Sequence, residues 1–258
     1  MTAMRTRAAV PVLAAASAAY CFVWLRKRLL TWGATPAEVS GRLPGDDLLA
    51  DAGGPAPSAP ASTMATTIAA PPKRVWPWLA QMGCDRAGWY SWDRLDNAGR
   101  PSTTRIHPEW QTITAGDRLA SAPGGATWFE VAEAQAPTTL VLRATVDLRT
   151  RRSIPSDGPR PTRFTDSTWA FLLQPLPGER TRLIVRGRGT GAPHWLIAAT
   201  NGVFWDPAHV IMQVRQLRNL RRRAERAGQI SPSGGPASRS PGSGAVARTG
   251  STRAAPGS

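Results

Sequence analysis

The chain has 258 residues, with 32 Lys and Arg against 17 Asp and Glu, a net charge of +15. Its two cysteines, Cys21 and Cys84, leave no intradomain disulfide framework and no thiolate metal cluster, because Cys21 lies in an apolar N-terminal run. The charge sits in the middle of the chain: residues 62–227 hold 23 basic and 13 acidic residues, residues 1–61 six and four, and the last 31 three and none. A surface of that sign favours anionic partners through attraction that salt screens.

From the N-terminus, Arg5 and Arg7 precede eighteen uncharged residues, Ala8 to Leu25, and Arg26-Lys27-Arg28 follow. Eighteen residues just reach across about 30 Å of hydrocarbon as a helix. Residues 1–30 are therefore expected to form an N-terminal transmembrane helix, a permanent single-pass anchor in the cell membrane. Small residues at 14–19 leave a cleaved signal peptide as the rival reading, and an interfacial helix as a third. Flanking charges are nearly balanced; the tight cluster at 26–28, the basic domain and the unpaired Cys84 place the domain on the cytoplasmic side. Residues 31–61 carry Pro, Gly and Ala without sustained apolar periodicity and read as a linker.

Residues 62–227 form the folded domain, long enough to bury a core without staples. STMATTIAA (62–70) alternates in part and stops at Pro71-Pro72, which opens a helix. Val75, Trp76, Leu79 and Met82 fall at helical spacing, with Pro77 tolerable near the first turn and Gly83 as the stop. A short helix is expected around Ser91–Asn97. Strands follow at 117–122, 127–135, 138–148, 167–176 and, after the turn Pro177-Gly178-Glu179-Arg180, at 181–189. From Ala208 to Arg226, Val210, Ile211, Val214, Leu217 and Leu220 make one apolar stripe, a long amphipathic helix that must bury itself against the sheet. Residues 228–258 are Ser, Gly, Pro, Ala and Arg and are expected to be disordered. The order is α+β, a curved antiparallel sheet closed by a long C-terminal helix, an architecture that makes a ligand site between the two.

The stretches IAAPPKRVWPWLAQMG, RAGWYSWDRLDN, IHPEWQTITAGDRL and TWAFLLQPLPGERTRLIVRGRG, with the closing basic helix, resemble the SRPBCC (START-type, helix-grip) superfamily, and within it a bacterial membrane-anchored group. The resemblance covers about residues 62–226. It implies a helix-grip fold around a pocket for lipids, polyketides or other apolar small molecules, and no cofactor. Members include cyclases and dehydratases as well as simple binders, so the fold leaves the reaction open.

Eleven tryptophans are unusual, and Trp76, Trp78, Trp89, Trp92 and Trp110 lie within 35 residues. Trp76 and Trp78 read as core. Trp89, Tyr90, Trp92, Trp110 and Trp128 are the candidate ligand-binding residues, since a large ring with one polar group suits an apolar wall. Of the polar residues nearby, His107 and Glu109 with Asp93 are candidates for acid–base catalysis, His titrating near neutrality and a desolvated Glu rising toward it. The structural alternative is that they pin the loop by hydrogen bonds. No metal site is expected, His107, His194 and His209 being scattered, and no G-x-S-x-G, Walker loop or dinucleotide fingerprint occurs. Arg218, Arg222 and Arg226 are candidates for an anionic membrane surface. A nucleic-acid contact lacks any reading motif.

Binding or carriage of an apolar small molecule at the membrane is the expected function. A cyclase- or dehydratase-type enzyme in the same cavity is the alternative, and a membrane-tethered scaffold with a basic helix the second.

Overall fold

The computed structural model describes Ser17, residues 20–49 and residues 62–227, the side chains of residues 202, 203 and 227 excepted. Most of the expected membrane span, the end of the linker and the C-terminal tail lie outside the described residues. Among the described residues no helix is long and apolar enough to cross a membrane.

The fold is α+β. Residues 20–30 form α1, followed by α2 (Pro36–Ser40), β1 (Ser62–Ile68), α3 (Pro72–Ala80) and α4 (Asp93–Asp96). A 3-10 turn at Pro108–Trp110 leads to β2 (Arg118–Ala120), β3 (Trp128–Gln135), β4 (Thr139–Asp147), β5 (Arg152–Ile154), β6 (Phe164–Leu176) and β7 (Arg180–Ala192). Helix α5 (His194–Thr200), a π-helical turn (Asn201–Trp205) and α6 (Asp206–Ala227) close the chain. The seven strands make one antiparallel sheet in the order β1-β7-β6-β4-β3-β2, with β5 paired to β4. Short β5, α5 and the π turn are additions to the sequence expectation.

Period-2 alternation assigns the two faces of the sheet. On one face Met64, Ile68, Leu183, Val185, Phe171, Leu173, Leu140, Leu142, Val131 and Leu119 join a core with Val75, Trp76 and Leu79 of α3 and Leu217, Leu220 and Ala224 of α6. This is the concave face, and α6 lies across it. The other face is also buried at Ala65, Val141, Ala170 and Ile184, which is why TLVL in β4 reads as a continuous apolar run. Charge is buried there too. Asp166, fully buried, accepts hydrogen bonds from Arg143 (3.0 and 2.8 Å), Arg160 (2.9 Å) and Thr145 (3.2 Å).

Residues 31–49, expected to be part of a loose linker, are held on this convex side. Arg186 of β7 is 5% exposed, and its guanidinium donates to Thr63, to the carbonyls of Gly41, Glu38 and Val39, and to Asp46. Arg182 grips Glu38 through two bonds of 2.7 and 2.8 Å. The backbone N–H of Ala65 donates to Trp32, and Leu49 is buried. Apolar convex residues must be shielded from water, and this segment shields them.

Candidate functional site

Arg186-Gly187-Arg188-Gly189-Thr190-Gly191 in β7 alternates charged or polar residues with glycine. Because Arg186 faces the convex side, the three glycines face inward and lower the floor of the concavity at one end of the sheet. A Cβ on Gly187 would come 2.9 Å from the Ser62 hydroxyl and 3.6 Å from the His209 ring, so α6 and β1 meet directly over it. The paired residues on β6 are Trp169, opposite Gly187, and Ser167, opposite Gly189.

Four aromatic rings occupy the concavity beside this floor. Trp169 packs against Phe171 at 4.8 Å, Trp89 at 5.4 Å and Phe129 at 5.6 Å, and Trp89 meets Phe129 edge-on at 5.5 Å. Phe171 and Trp89 are buried, whereas Phe129 and Trp169 are half-buried although both face inward. Above them α6 supplies a polar line. The Trp169 indole N–H donates to Gln213 (3.0 Å), Gln213 to Gln216 (2.8 Å), and Gln216 to the Trp89 carbonyl (2.9 Å). One helical turn earlier His209 Nε2 lies 2.9 Å from the Ser62 hydroxyl. Burial lowers the pKa of His209, with the negative charge of Asp206 opposing it, which favours a neutral imidazole. The concavity thus offers aromatic faces, a glycine floor and a few neutral hydrogen-bonding groups, chemistry suited to an apolar molecule with a small polar part.

Of the five aromatic residues singled out in the sequence, Trp89 alone belongs to this cluster. Tyr90 is buried beside it in sequence but faces elsewhere: its hydroxyl accepts from Gln81 at 2.9 Å, Trp78 packs edge-on, and the Arg223 guanidinium lies 4.8 Å from its ring. Burial raises its phenol pKa. Trp92 is 41% exposed with Arg215 stacked 3.9 Å above it. Trp110 is stacked on His107 at 4.5 Å, and Trp128 points away from Phe129, under Arg118 at 4.8 Å. The structure does not bring these four together.

His107, Glu109 and Asp93 are each tied into the loop that carries them. His107 Nδ1 is 3.1 Å from Glu109 and Nε2 is 3.0 Å from Thr103, while its backbone N–H donates to Gln81. Glu109 stands in solvent, 59% exposed, its pKa held down by its own backbone N–H and by His107. Asp93 accepts from both the backbone and hydroxyl of Ser102, at 3.1 and 2.5 Å. Arg218, Arg222 and Arg226 share the exposed side of α6, with Arg218 above Trp32 at 5.8 Å.

Sequence reasoning missed Phe129, Trp169, Gln213, His209, Ser62 and the glycine floor. Trp169, Phe171 and Leu173 were separable by alternation, as were the three glycines. The Ser62–His209 contact spans 147 positions and had no local signal.

Two depressions lie outside the concavity. An apolar groove of about 90 Å³ runs between α1 and the start of α6, lined by Phe22, Leu25, Leu29, Pro207 and Val210. A polar hollow of about 350 Å³ is framed by Val39, Arg42, Asp46, Asp47, Arg186 and Arg188.

No family model matches the sequence, and no curated protein matches it. Among solved structures, a protein from Helicobacter pylori is similar at 13% identity and a TM-score of 0.41, covering 63% of this chain and 86% of its own. A protein from Arthrobacter aurescens is similar at 17% identity and 0.35, covering 62% and 85%. CalU16 from Micromonospora echinospora is similar at 16% identity and 0.30, covering 66% and 87%.

Proposed function

We propose that the chain is a START-type (SRPBCC) helix-grip protein that binds or carries an apolar small molecule, lipid- or polyketide-like, in the concavity between sheet and α6 at a membrane surface. The observation that carries this reading is the cluster of Trp89, Phe129, Trp169 and Phe171 beside the Gly187–Gly191 floor, in which Trp169 and Phe129 face inward yet are only half-buried. A ligand enters by turning Trp169 off Gln213 and stacking in its place, and the Ser62–His209 pair meets its polar part.

Gly189 provides the test. A Cβ there would meet only ordinary contacts, 3.8 Å from the Asp166 carbonyl and 3.9 Å from Ser167, so Gly189→Val is expected to fold and to fill the floor. Purified full-length protein is expected to carry an extractable apolar ligand in native mass spectrometry and to gain thermal stability from a fatty-acid or aromatic polyketide probe. In Gly189→Val the overpacked site is expected to lose about 1–3 kcal/mol of binding, roughly five- to 150-fold in Kd. If the wild type carries nothing and no probe shifts its melting temperature, the reading fails.

A further inference from the structure

One end of the molecule exposes large apolar side chains that its core does not use. Trp195 on α5, Phe204 and Trp205 in the π turn and Ile211 on α6 are between 58% and 73% exposed, and the rings of Phe204 and Trp205 pack edge to face at 5.3 Å. On α1, Tyr20, Phe22, Val23, Trp24 and Leu25 are all more than half exposed. The two sets meet. Arg26 pairs with Asp206, the residue after Trp205, and the apolar groove between the helices joins Phe22 and Leu25 to Pro207 and Val210.

Helix α1 runs beside α6 in the same sense, since Arg26 sits at Asp206 and Trp32, further along, sits under Arg218. The uncharged run that ends at Leu25 therefore joins the domain at the N-terminal end of α6, where Phe204 and Trp205 stand. Arg26, Lys27 and Arg28 come at the same level. Aromatic rings beside a basic cluster, next to an apolar segment, are the pattern of a bilayer's headgroup zone. A second copy of this chain is a poorer occupant, because the same basic cluster would face itself.

We propose that the α5–α6 junction, with Trp195, Phe204 and Trp205, is a membrane-docking surface that seats in the interface of an anionic bilayer beside residues 8–25. The proposal rests on reading that segment as membrane-embedded. The glycine floor adjoins this surface, for a Cβ on Gly191 would lie 3.2 Å from Ile197 of α5. The contact lies at the opposite end of α6 from Arg218, Arg222 and Arg226. At 1.5 Å per residue those arginines stand about 18–30 Å from Asp206, beyond a Debye length of about 10 Å.

The test places a single reactive cysteine at either end of α6 in the full chain carrying Cys21→Ser, the other cysteine, Cys84, being buried. Phe204→Cys and Arg226→Cys, both exposed positions, are labelled with an environment-sensitive fluorophore and reconstituted in phosphatidylcholine/phosphatidylglycerol vesicles. The label at 204 is expected to shift to the blue and to be quenched by bromolipids several-fold more than the label at 226. A shift at 226 and not at 204, or at neither, overturns the proposal. So does a shift at 204 that appears without vesicles as protein concentration rises, which assigns the patch to a second copy. Failure of the chain to join vesicles overturns the docking surface and the membrane segment together, while the ligand measurements on Gly189→Val decide the concavity independently.

Discussion

Asp96 shows how one side chain sets the pH response of the motif it belongs to. Asp96 ends α4, its carboxyl buried, and burial, reinforced by the negative charge of Asp93, pushes its pKa up to about 6 from 3.8. Between those two values the folded state holds a proton that the unfolded chain has released. Stability from this group therefore falls as pH rises from about 4 and is fully lost above about 6. Asp96→Asn removes the ionisation, so the variant is expected to be more stable than wild type at pH 8, by about 1 kcal/mol after allowing for solvent that reaches the group. The advantage is expected to be smaller at pH 5. Urea denaturation at both pH values reads the difference, and a variant that gains nothing at pH 8 shows that Asp96 is stabilised by contacts rather than strained by burial.

Among the elements, those with a clean period were legible. The strands at 138–148, 167–176 and 181–189 and the stripe of α6 follow from alternation or a 3.6-residue repeat, because each has one face committed to the core. Elements without such a face were not: β5 has three residues, and α5 with the π turn exposes the aromatics that a core helix would hide. The segment at 31–49 is instructive in the same way. Its Pro- and Gly-rich composition suggested a tether, yet Thr35-Pro36-Ala37-Glu38 spells a capping box, and both of its reciprocal bonds are made. Of the site, the sequence showed aromatic supply but not direction. Trp89 turned inward and Trp92, three residues on, turned out to Arg215, a difference set by loop geometry that no periodicity encodes. Gly45 fixes the packed segment to the sheet, with a φ of +85° and no room for a Cβ, which would fall 2.7 Å from Val141. Gly45→Ala is expected to cost about 1–3 kcal/mol through strain and overpacking. Limited proteolysis is expected to cut within residues 31–61 earlier than in wild type. Unchanged digestion denies Gly45 that role.

At the scale of the molecule, α1 and residues 31–49 are pinned to the domain at several points. Arg26 is bound to Asp206, Trp32 to Ala65, and Arg182 and Arg186 clasp the turns that follow. The described part of the N-terminal region is therefore a bracket rather than a leash, and whatever holds the chain ahead of residue 20 also sets the angle at which the sheet is presented. A probe at the exposed β6–β7 turn, Glu179→Cys in the Cys21→Ser background, is expected to keep a high residual fluorescence anisotropy on vesicles, where a domain on a free linker would tumble to a low one. On the membrane-bound reading proposed above, freedom of approach would be lost with freedom of rotation: a soluble donor or acceptor of the ligand would meet this domain from one bearing only, and many copies on one surface would stand in register, each presenting the same end of its sheet.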